Sequence, residues 1–168
     1  MKAKYNILAF IFIGALGALS HFVYEWTGEN TVVGYFFAVN ESTWEHLKLL
    51  FFPTLLYTVI EYFFVKENYE NYLISVTISL IVGMLSIVVL FYTYSGVLGY
   101  TIDFINILIY YISLVIMLLC KNKLIKSRKF TFRNYNILSL AILFEISLLF
   151  IFFTYIPPAI DLFIPPTI

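Results

Sequence analysis

Five stretches of the chain are apolar almost without interruption: Ile7 to Val23, Leu47 to Val65, Tyr72 to Tyr92, Ile102 to Cys120 and Ile137 to Ile156. Each comes close to the roughly 20 residues that an α-helix needs to cross about 30 Å of hydrocarbon. The pattern predicts an all-α, polytopic membrane helical bundle of about five transmembrane helices, folded as a single domain over residues 1–168. The first run follows Lys2 and Lys4, as a signal peptide would. Ser20, His21 and Glu25 stand where a small-residue cleavage site belongs, so it reads as a retained helix.

The polar positions between the runs orient the bundle. Lys2 and Lys4 precede the first span, Lys66 follows the second, and Lys121, Lys123, Lys126, Arg128, Lys129 and Arg133 separate the fourth from the fifth. The connections on the other side, Glu25 to His46, Thr93 to Thr101 and the tail after Ile156, carry neither Lys nor Arg. Cations favour the cytoplasmic side, so the expected topology is N-in and C-out, with Lys48 the one exterior-side cation. The linker from Trp26 to Trp44 has the length and the aromatics, Tyr35, Phe36 and Phe37, of an interfacial or re-entrant segment covering the outer mouth. Gly14, Ala15, Gly17 and Ala18 form a small-residue patch for close helix packing. Pro157-Pro158 and Pro165-Pro166 hold the tail extended along the outer interface.

Composition supports the same class. Hydrophobic residues make up 62% and charged residues 12% of the 168, and the mean hydropathy is +0.93, well outside the range of a soluble domain. A formal net charge of zero provides no field for nucleic acid, which is excluded as a partner. The single cysteine, Cys120, permits no intramolecular disulfide.

Ionisable side chains near a bilayer are the natural candidates for chemistry. His21 and Glu25 lie one helical turn apart at the outer end of the first span, Glu41, Glu45 and His46 at the outer start of the second, and Asp103 at the outer start of the fourth. Three helices can thus aim carboxylates and imidazoles at one outer pocket that binds a small ligand, a lipid or a partner. Two histidines with a carboxylate also suit a divalent metal such as zinc, with His21, His46 and Glu45 as its candidate ligands and water in an open position. Each residue has a structural alternative. Ser42 and Glu45 fit a capping box, His46 and Lys48 fit the headgroup region, Glu25 fits an exposed site between Tyr24 and Trp26, and Asp103 fits a helix cap. Glu145 falls mid-span in the fifth helix, where a lone carboxylate must be protonated or paired; Ser86, Tyr110 and Ser113 lie at similar depth. Glu61 is within reach of Lys66 or the headgroups and reads as structural.

The runs Ser20-His21-Phe22-Val23-Tyr24-Glu25-Trp26, Asn40 to Lys48 and Gly99 to Asn106 resemble an uncharacterised family of small bacterial multi-pass membrane proteins. The resemblance covers essentially the whole chain and implies a bacterial inner-membrane address without an activity. A weaker, local resemblance joins the Glu41 to His46 stretch to the Trp-x-His helix start of the progestin and adiponectin receptor family, within a superfamily of membrane hydrolases. That superfamily implies seven helices and a zinc held by three histidines, whereas this chain has only His21 and His46; a carboxylate would have to replace the third.

Three functions follow as expectations. The first is a membrane bundle whose outer polar pocket binds a ligand, lipid headgroup or partner. The second is a metal-dependent intramembrane hydrolase of a lipid-like substrate, using His21, Glu25, Glu45, His46 and Asp103. The third is a small proton-coupled transporter built on Glu145. The basic segment from Lys121 to Arg133 is also suited to anionic lipid. Phosphate-binding glycine loops, nucleophile elbows and paired-cysteine metal motifs are absent from the sequence.

Overall fold

A computed structural model describes residues 3–65, 69–127 and 129–166. All regular structure among the described residues is helical: α1 (Ala3–Ser20), α2 (Val23–Trp26), α3 (Thr31–Gly34), α4 (Thr43–Val65), α5 (Tyr72–Leu98), α6 (Asp103–Ser127), α7 (Arg133–Tyr155) and a 3₁₀ turn at Asp161–Phe163. Helices α4, α5, α6 and α7 are long and apolar enough to cross a membrane, and α1 offers a shorter apolar helix over Tyr5–Ser20. The helices outrun the apolar stretches because backbone hydrogen bonding continues through flanking polar residues. Thus α4 already includes Glu45 and His46, and α6 carries Lys121, Lys123 and Lys126 on helix rather than loop. Lys2, Lys66 and Arg128, and the side chains of Lys4 and Arg133, lie outside the described residues.

Helices α1, α4, α5 and α6 form a ring in which α1 meets α4 and α6, and α5 meets α4 and α6; α7 lies against α5 and α4. Ile13, Leu50, Phe51, Leu80, Leu114 and Met117 fill the centre. The interior also holds Thr54, Thr58, Thr77, Ser79 and Ser113, while Ile11, Phe63, Val89, Phe104 and Phe144 stand exposed outside. An apolar exterior around a partly polar interior suits hydrocarbon as the solvent. Within α4, Pro53 has no N–H to offer the Leu49 carbonyl. The Tyr110 hydroxyl lies 3.4 Å from that carbonyl and donates at 2.8 Å to the Ile13 carbonyl, tying α6 to α1 and α4. Gly17 makes this possible, since a Cβ there would overlap the Tyr110 hydroxyl.

Two buried ion pairs sit at opposite ends of α4. Lys48, expected among headgroups, is fully buried and donates to Glu45 Oε2 at 2.7 Å, to the Gly34 carbonyl at 2.9 Å and to Thr154 Oγ1 at 2.6 Å. It thereby fastens the linker and α7 to the start of α4. Glu61 is buried too, and its Oε2 accepts from Lys121 at 2.9 Å and from the Tyr72 hydroxyl at 2.6 Å. Lys121, read as part of the basic segment between the fourth and fifth spans, is buried on α6 as a partner of Glu61, for which Lys66 or the headgroups were expected; a charge this deep is tolerated only with its partner present.

The linker and the tail both pack against the bundle. Asn30 caps α3 by accepting from the Val32 and Val33 amides, and the Tyr155 hydroxyl donates to the Thr31 carbonyl at 3.0 Å. The linker therefore rests over α4 and α7. The tail folds back, with the ring of buried Phe163 tilted 4.8 Å from Trp44 and edge-on 5.3 Å from Phe153, so that Pro165 and Pro166 reach the cavity described next.

Candidate metal centre

Helix α1 ends at Ser20, whose hydroxyl donates to the Leu16 carbonyl, and the chain tightens as the Phe22 amide bonds the Leu19 carbonyl. That break directs His21 toward α4 and leaves Glu25, on the separate helix α2, exposed outside the cluster. His21 and Glu25 would share a face only on a continuous helix, and the break between α1 and α2 removes that alignment. At the start of α4 the Ser42 hydroxyl accepts from the Glu45 amide at 3.3 Å, one half of the capping box. The other half is absent: the Ser42 amide donates to Asn40 Oδ1 at 2.9 Å, and Glu45 Oε2 accepts from Lys48 and from the Val39 amide. Glu45 is thus spent on structure, and its place beside the histidines is taken by Glu41.

The resulting group is His21, Glu41 and His46, whose candidate ligand atoms all lie within 4.8 Å of one another. Glu41 Oε2 is 3.4 Å from Nε2 of each histidine, and the two imidazole rings are 5.3 Å apart. Ligands about 2.0–2.1 Å from a tetrahedral zinc are separated by about 3.3–3.4 Å, so both carboxylate-to-imidazole distances match a tetrahedral edge. His46 is also oriented for ligation. Its Nδ1 is 2.9 Å from the Ser42 carbonyl, which can only accept, so Nδ1 carries the proton and Nε2 presents its lone pair to Glu41. A lone pair facing a carboxylate oxygen calls for a cation between them, either a proton or a metal.

Electrostatics agree with that geometry. The hydrogen bond to Glu41 raises the His21 pKa above its ordinary value against the opposing effect of burial, and the charges of Glu41 and Glu25 add to the rise. The same hydrogen bond holds Glu41 below the usual carboxylate range. For His21 the stabilisation is fully present below its unfolded-state pKa and disappears as pH rises through the raised folded-state value. For Glu41 it is present above the unfolded-state pKa and disappears as pH falls through the depressed value. Metal-free protein is therefore expected to lose thermal stability as pH rises through the His21 transition, and Glu41→Gln to abolish that loss. Added zinc should reverse the trend, because a ligating imidazole must be deprotonated. Thermal unfolding across pH, with and without zinc, checks both signs.

The three residues open onto a cavity of about 620 Å³ between α1, α4, α5 and α6. Its wall is mainly apolar, with Leu49, Ile87, Phe91 and Ile107 among the lining residues, and Asp103, Thr43 and Asn106 supply polar groups. Asp103, a candidate for the outer pocket with a helix cap as its structural alternative, is the first residue of α6 and lines this cavity. The structure thus gathers His21, Glu41, His46 and Asp103 and leaves Glu25, Glu45 and Glu145 outside. Glu145 is exposed on α7, and none of Ser86, Tyr110 or Ser113 bonds it: Ser86 donates to Val82, Tyr110 to Ile13, and the Ser113 hydroxyl is buried without a partner. Asn106 and Tyr110 line the cavity with Asp103, their helical spacing from it placing all three along one side of α6. No curated protein and no solved structure matches the chain. A family model does match it, over residues 1–166, and the chain belongs to that family, a family of unknown function (DUF6512).

Proposed function

We propose that the chain is a multi-pass protein of the bacterial inner membrane, with five spans, a cytoplasmic N terminus and an external C terminus. At the external end it binds a divalent metal, zinc by ligand type, and hydrolyses the acyl bond of a lipid-like substrate. The observation that carries this reading is the spacing of Glu41 Oε2, 3.4 Å from Nε2 of both His21 and His46, at the edge of an apolar cavity. Two imidazoles and one carboxylate would hold a zinc by a ligand set known from hydrolytic sites, with room left for water. A zinc held by His21, Glu41 and His46 would lower the pKa of a bound water toward about 7 and so supply a nucleophile at neutral pH. Asp103, in the same cavity, is the candidate to take and return its proton. Water adds across a carboxylic ester or amide, the acyl carbon gains the hydroxyl, and the alcohol or amine leaves with the proton. Leu49, Ile87, Phe91 and Ile107 suit one acyl chain entering from the surrounding leaflet.

The test is acyl release from a defined lipid mixture by zinc-loaded protein in liposomes, followed by mass spectrometry. The wild type is expected to release fatty acid, and Asp103→Asn to slow release by about 10²–10⁴-fold while retaining its metal. No release from any ester or amide lipid by metal-replete protein would sink the hydrolase. A second reading, a lipid- or ligand-binding pocket without chemistry, draws on the same apolar wall, and bound lipid that is recovered intact would favour it. Proton transport through Glu145 gains nothing from its position, exposed on α7 and away from the cavity.

A further inference from the structure

Helix α7 buries one side against α5 and α4 through Ser139, Leu143, Phe150 and Thr154. On the opposite side Leu138, Ala141, Glu145, Leu148 and Phe152 are all exposed. Their spacing alternates three and four residues along the helix, the repeat that keeps one seam facing a partner helix in a coiled coil. Glu145 stands near the middle of that seam, within an otherwise apolar membrane-crossing helix. Among the described residues it has no hydrogen-bond or ion-pair partner within the chain. Hydrocarbon offers it none either, and a polar group at this depth is satisfied by another helix.

We infer that α7 pairs with α7 of a second copy of this chain, through this seam, with the two Glu145 carboxyls hydrogen-bonded to each other. A second copy is the occupant that the chemistry selects. Copies inserted the same way up place identical residues at identical depth about a two-fold axis, so each Glu145 meets its own counterpart. Two carboxyls that each keep a proton donate to and accept from one another, so the pair is neutral and needs no other charge. Ala141, one turn from Glu145, allows the backbones to approach closely at that level. The inference rests on α7 as a membrane span and not on the metal centre.

Cysteine cross-linking in native membranes tests it, in a Cys120→Ser background that removes the chain's single thiol. Leu148→Cys, on the seam, is expected to give a covalent dimer of this chain, and Val115→Cys, exposed on α6, is expected to stay monomeric. Adding Glu145→Leu to Leu148→Cys should lower the cross-linked fraction by about 3- to 30-fold, and Glu145→Gln, which still pairs amide to amide, should retain most of it. Recovery of every variant in the membrane fraction separates a failed seam from a failed span. Equal cross-linking at Val115, cross-linking unaffected by Glu145→Leu, capture of a different polypeptide at Leu148, or monomer at all positions would each overturn the inference.

Discussion

Lys48→Met is expected to destabilise the protein by about 3–5 kcal/mol, the cost of leaving a buried carboxylate without its cation. Lys48 and Glu45 have side-chain exposures of 0% and 2%, so water cannot take over as partner for the charge left behind. The same substitution removes the donor shared by the Gly34 carbonyl and Thr154 Oγ1, loosening the linker and α7 from the start of α4. Lys123→Met, on the exposed face of α6, should change stability by less than about 0.5 kcal/mol. Thermal unfolding in detergent, followed by the fluorescence of Trp44 at the head of α4, reports both variants. Restoring neutrality with Glu45→Gln in the Lys48→Met background should recover a large part of the loss, since exchanging both members of a buried pair costs far less than removing one. Equal melting of Lys48→Met and Lys123→Met would contradict the buried pair.

Glu41→Gln is expected to weaken metal affinity by at least about 100-fold, beyond the 10–100-fold typical of losing an outer-shell contact, because it removes the carboxylate that faces both imidazoles. Glu45→Gln should behave in the opposite way. It leaves the metal ligands intact and unpairs Lys48, so affinity is retained while stability falls. Competition with a fluorescent zinc chelator in detergent measures the affinities, and thermal unfolding measures the stabilities. The contrast separates two carboxylates four residues apart in sequence. If Glu45→Gln lost the metal and Glu41→Gln kept it, the assignment of roles would be reversed.

The helices were legible because continuous apolar runs of membrane-crossing length have few other readings. The helix ends were less so, since Thr43 to His46 and Lys121 to Ser127 are polar by composition yet helical by backbone bonding. Placement of His21, His46 and Asp103 near one end followed from counting spans, and the cavity does collect all three. Which glutamate joins them could not be read locally. Ser42-Thr43-Trp44-Glu45 has the form of a capping box, but Lys48 claims Glu45, and Lys48 is held there partly by Thr154, 106 residues further along. Lys121 and Glu61, 60 residues apart, are equally invisible to any local pattern. Glu25 falls outside the cluster for a different reason: spacing on a helix face holds only while the helix continues, and α1 ends at Ser20. For Glu145, hydropathy gives depth in the membrane but not direction, and α7 turns it outward.

The most direct test of the metal centre is elemental analysis of detergent-purified wild type beside His21→Ala and His46→Ala, prepared without chelator and checked for folding. About one equivalent of zinc or another divalent transition metal in the wild type, lost in both folded variants, is the expected result. Folded wild type free of such metal, and unable to take it up when zinc is added, would contradict it and return His21, Glu41 and His46 to a proton-shared polar cluster at the edge of a lipid-binding cavity.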